Sequence, residues 1–178
     1  MKYAYLTVLL LGMALLSTFL LPEPLPAEPI LYAVTQNRHS GETAYWALNA
    51  DGKAIARPAF TPAPAQIHTF RCFDSDIENR RVINRRNDEL SEADRAFLAL
   101  HPIADRLLDC AAREEHEIMS ARVFLLEDSV YLQLDFNVNL WWPHRLYRYD
   151  PQADSLTELY CFDGLEVTGL CPIAQHTR

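Results

Sequence analysis

The sequence predicts a single α+β domain, mainly an antiparallel β-meander with one kinked helical segment packed on it, disulfide-containing and preceded by an apolar leader. Three observations carry this. Short stretches with period-two alternation, separated by turn residues, open the exported part and fill its last third. Between them Phe97, Leu100, Ala104, Leu107 and Ala111 recur at alternating steps of three and four, the stripe of an amphipathic helix. All four cysteines lie beyond the leader, an even number in a chain bound for an oxidising compartment.

The leader comes first. Lys2 is the only charge before Glu23, and Ala4 to Leu21 is a nearly unbroken apolar run. As a helix it measures about 27 Å, just under the roughly 30 Å of a bilayer core. Pro22, Pro24 and Pro26 break that helix, and Leu25 and Ala27 suit the positions before a cleavage site. Residues 1–27 are therefore expected to be a signal peptide or an N-terminal membrane anchor, and residues 28–178 an exported domain in the periplasm or on the outer face of the inner membrane. Lys2 and Glu23 cancel, so the whole net charge of −8 belongs to the exported part. Nucleic acid is not an expected partner of such a surface, and the membrane enters only through the leader.

The elements follow in order. Ile30 to Thr35 and Tyr45 to Asn49 alternate as strands, with a turn at Asn49-Ala-Asp-Gly52. A loop holding Pro58, Pro62 and Pro64 comes next. The helical segment is expected between residues 91 and 115, started by Ser91 and Asp94 as an N-cap box, with Pro102 forcing a kink or a meeting of two helices near His101. Ile118 to Leu126 and Val130 to Phe136 then flank a turn. Val130, Leu132, Leu134 and Phe136 form the expected buried face, and Tyr131, Gln133 and Asp135 the wet one. Arg145 to Tyr149, Leu156 to Phe162 and Glu166 to Leu170 continue the meander. For the disulfides, Cys72 with Cys110 and Cys161 with Cys171 is the favoured connectivity, the second pair spanning one strand-turn-strand segment.

The chemistry legible in the residues is sparse. The four exported glycines do not have phosphate-loop spacing, and no serine sits in a Gly-x-Ser-x-Gly elbow. Asp74, Asp76 and Glu78 begin like a calcium loop, but Asn79 and Arg85 stand where glycine and a closing glutamate are needed. No catalytic, cofactor-binding or metal-ligating residue is assigned, and no cofactor is expected. The segment from Asp88 to Asp128 holds 11 acids against four arginines, a charge of −7 suited to a basic protein partner. Glu92, Asp105 and Asp109 represent that face. Trp141 and Trp142, adjacent before Pro143, are the other expected contact residues, since tryptophan is enriched at binding hot spots.

The expected function is non-catalytic binding of a protein partner by an exported envelope protein, in the manner of a periplasmic inhibitor or immunity-type protein. An anchored accessory subunit of an envelope complex is the alternative. An atypical hydrolase, with Asp, Glu and His brought together only by the fold, is third.

Overall fold

The computed structural model describes residues 28–71, 73–76, 78–84, 89–113, 118–136 and 143–173. Eleven strands and two helices follow one another: β1 (Pro29–Asn37), β2 (Thr43–Asn49), β3 (Ala54–Ala56), β4 (Gln66–Arg71), β5 (Phe73–Asp76), β6 (Arg81–Asn84), α1 (Glu92–Leu100), α2 (Ala104–Arg113), β7 (Ile118–Leu126), β8 (Ser129–Phe136), β9 (Pro143–Asp150), β10 (Ser155–Asp163) and β11 (Leu165–Pro172). They form a five-stranded sheet ordered β10-β9-β8-β7-β4, a four-stranded sheet ordered β11-β1-β2-β3, and the β5-β6 hairpin. All the pairings are antiparallel.

This corrects the α+β expectation of one meander sheet. The protein is predominantly antiparallel β-structure in three sheets, and the single kinked helical segment is two short helices. Strands β7 to β10 do run as a meander, but β11 leaves it and pairs with β1. The physical reason lies in β8. Its last six residues are all buried, because the five-stranded sheet is covered on both faces.

Two cores show how. Ala121, Val123, Leu132, Leu134 and Tyr147 on one face pack with Phe97, Ile103, Leu107 and Ala111 of the helical layer. Phe124, Leu126, Tyr131, Leu146 and Phe162 on the other face pack with Leu31, Ala33, Leu48, Val167 and Leu170 of the four-stranded sheet. Burial of each large apolar side chain contributes about 1.5–3 kcal/mol, so both covers are firmly held.

The helices are placed by their ends. Ser91 Oγ accepts from the Asp94 N–H and donates to Asp94 Oδ2, so the capping box satisfies the first turn of α1. His101 closes α1, and Pro102 separates it from α2. His68 on β4 bonds Asp94 Oδ1 at 2.8 Å and stacks on Phe97, fastening α1 to the sheet. On the far side, the proline-rich loop lies against the four-stranded sheet. Phe60 packs edge-on to Tyr32 and Tyr45, and the Ala63 N–H bonds the Leu170 carbonyl. That bond protects the outer edge of β11 from pairing elsewhere.

The disulfide expectation is also corrected: no disulfide-bonded pair is present among the described residues. Cys161 and Cys171 are free thiols. They do not share a hairpin, since Cys161 stands opposite Arg145 in one sheet and Cys171 opposite Tyr32 in the other. Cys110, on α2, is buried in the core. Cys72 lies outside the described residues.

Candidate functional site

Covering the supposedly wet face of β8 creates the site. Register places Ser120 on β7, Asp135 on β8 and His144 on β9 side by side, with Arg122 and Gln133 in the next row. These polar groups point between the two sheets, where Gln133, Asp135 and His144 are only 1%, 4% and 0% exposed. Burying them is costly unless each is bonded, so their partners define the site.

Asp135 is the hub. Oδ1 accepts from His144 Nδ1 at 2.5 Å and from Gln133 Nε2 at 2.9 Å. Oδ2 accepts from Arg38 Nη2 at 2.7 Å and from the Ser120 hydroxyl. Burial by itself raises this carboxyl. The hydrogen bonds from His144 and Ser120 and the Arg38 guanidinium outweigh that, and hold it below the usual carboxylate range. Asp135 is thus an anion at neutral pH. Gln133 Nε2 also lies 3.1 Å from His144 Nδ1, and its Oε1 accepts the Val167 N–H at 3.0 Å, which ties β8 to the opposite sheet.

A second carboxylate closes the cluster. Glu166 accepts from Arg38 Nε at 2.9 Å and from Arg122, whose other nitrogen donates to the Val167 carbonyl at 2.6 Å. Arg38 is supplied by the turn after β1. Asn37 Oδ1 accepts the His39 and Ser40 N–H groups there, and Gly41 adopts φ +72°. This local wiring fixes the turn that carries Arg38 and His39 over the end of β9.

His144 decides what the arrangement can do. An ionised carboxylate only accepts, so Asp135 fixes the Nδ1–H tautomer. Nε2 is fully buried and has no hydrogen-bond partner among the described residues. Leaving such a group unmet costs about 1–3 kcal/mol. His144 also lines a cavity of about 230 Å³ together with Arg38, His39 and Gly164, and the cavity wall is mostly apolar. An oriented imidazole beside a guanidinium at a small cavity is suited to binding a polar group or moving a proton. A wider cleft of about 430 Å³ between β6 and the helices, bordered by Arg81, Glu89 and Arg95, includes none of the buried unpartnered groups.

The residues singled out from sequence lie elsewhere. Glu92 is exposed in the first turn of α1. Asp105 bonds Arg80 at 2.9 Å, and Asp109 bonds Arg106 at 2.6 Å and Arg80 at 3.4 Å, so both acids already have cations beside them. Trp141 and Trp142 lie outside the described residues. Sequence reasoning missed Arg38, Ser120, Gln133, Asp135, His144 and Glu166. One signal was available: Val123 to Leu126 is apolar at consecutive positions, which marks a strand buried on both faces. Among the described residues no group of three or more His, Cys, Asp or Glu side chains is placed to hold a metal ion. Comparison with protein-family models, with curated proteins and with solved structures finds no match in any of the three.

Proposed function

We propose that this chain is an exported binding protein whose recognition site is the cavity beneath the β1–β2 turn. One observation carries the reading: the unpartnered Nε2 of fully buried His144, held in a fixed tautomer by Asp135, at a cavity that also presents Arg38. A structural network alone has no use for a buried imidazole nitrogen left unbonded, since that nitrogen is a standing cost to stability. A bound polar group removes the cost. Export rests on the leader expected over residues 1–27.

Binding is favoured over covalent chemistry by the identity of the described lining residues. Arg38, His39, His144 and Gly164 supply neither a hydroxyl nor a thiol. The Ser120 hydroxyl is engaged by Asp135 Oδ2, on the far oxygen from His144. A protein partner is the second reading, favoured by Leu100, which is 77% exposed at the end of α1.

The test is a fragment screen on the full chain by amide-detected NMR. Hits that shift the signals of Arg38, His39, His144 and Gly164 together support the reading. Hits scattered over the surface, or confined to the helical layer, contradict it. Capture of one dedicated protein, abolished by Leu100→Asp but not by His144→Gln, favours the second reading instead.

A further inference from the structure

We infer that the ligand of this cavity is a small monocarboxylate with an apolar body, a short-chain or aromatic acid, whose carboxylate meets Nε2 of His144 and the guanidinium of Arg38. The inference rests on the proposed binding function and names its ligand class.

Charge selects the anion. The groups facing His144 come from four elements: Ser120 on β7, Gln133 and Asp135 on β8, Arg38 and His39 in the β1–β2 turn, and Glu166 on β11. Arg38 and Arg122 balance Asp135 and Glu166, so this network is neutral before His144 is counted. With Nδ1–H committed to Asp135, hydrogen bonding from Nε2 to a carboxylate requires a second proton on the ring. The ring then carries one positive charge, and the incoming carboxylate cancels it within hydrogen-bond distance. A cation entering the same space meets Arg38 and the imidazole and finds no carboxylate among the described lining residues.

Shape selects the body. Gly164 adds no side chain, so it leaves room at the wall, and the mostly apolar surface of the wall suits a hydrocarbon or aromatic group. Arg38 is 38% exposed and lies at the mouth, where a carboxylate arriving from solvent meets it first.

The experiment uses the full chain in uncharged detergent with ¹⁵N-labelled histidine. Benzoate, benzyl alcohol and benzylamine, equal in ring and different in charge, are titrated while the imidazole nitrogens are followed. His144 is assigned by the signal missing in His144→Gln, and, should that variant fail to fold, by the far-downfield Nδ1 proton that its short bond to Asp135 produces. Saturable movement of Nε2 with benzoate, at least tenfold tighter than with either isostere and weakened at least tenfold by Arg38→Gln, is the expected result. A chain in which the alcohol or the amine binds as well as benzoate overturns the carboxylate assignment and leaves the binding cavity standing. If none of the three moves His144, the carboxylate assignment and the binding function both fall.

Discussion

Replacing Asp135 by asparagine tests the network that holds His144. The carboxylate is 6% exposed and accepts four bonds, from His144, Gln133, Arg38 and Ser120. Breaking one side of a buried charged network costs about 3–5 kcal/mol. Two features place this case at the lower end. Arg38 keeps Glu166 at 2.9 Å and is partly solvated, and asparagine still offers one oxygen. The expected loss at pH 7 is therefore about 3 kcal/mol, a fall in Tm of about 6–12 °C for a domain of this size.

The sign with pH follows from the depressed Asp135 carboxyl. Its contribution is complete above the unfolded carboxylate value of about 3.9 and is lost as pH falls through the lower folded value. Urea unfolding of both proteins at pH 7 and pH 3 measures it. Glu166 and the other acids titrate in both and cancel in the difference. A gap that is wide at pH 7 and narrow at pH 3 is expected. An equal gap at both, or none at pH 7, refutes the electrostatic reasoning.

Three further outcomes are expected. Gly169→Ala places a Cβ 2.8 Å from Pro62 Cβ and 2.9 Å from its Cγ, so urea denaturation should show a loss of about 1–3 kcal/mol from overpacking. Ser91→Ala removes the hydroxyl arm of the capping box on α1, leaving the residue-91 N–H on Asp94 Oδ2, and should cost about 1 kcal/mol, while the thermal unfolding transition stays cooperative. Alkylation of unfolded, unreduced protein followed by mass spectrometry should label both Cys161 and Cys171. In the native state both thiols should react more slowly than a free cysteine, because burial raises each of them; a Cys161–Cys171 linked peptide contradicts the fold described here.

Local features were the legible part of the sequence. The helix start at Ser91, the break at Pro102 and the turn at Gly52 are set by neighbours within a few residues, and the structure has each of them. What period-two alternation leaves open is which way a polar face looks. Gln133 and Asp135 differ from Leu132 and Leu134 in the same way whether their side meets water or a second sheet. The deciding contacts come from residues far away in the chain, such as Arg38 and Glu166. The same cause misled the disulfide assignment. Cys161 and Cys171 are ten positions apart, but the turn at Gly164 passes the chain to another sheet and does not fold it back on β10. His144 was equally hidden, since a lone histidine before a strand becomes notable only once Asp135 stands opposite it in register.

The tautomer of His144 decides whether Asp135 orients the imidazole. Long-range ¹H–¹⁵N correlation on histidine-labelled protein reads which ring nitrogen carries the proton and whether the bond to Asp135 exists. The expected result is a protonated Nδ1 with a strongly downfield hydrogen, lost in Asp135→Asn, and an Nε2 whose signal responds to ligand. A neutral ring protonated at Nε2, with a bare Nδ1, contradicts it: Asp135 then no longer orients the imidazole, and the cavity loses its recognition group.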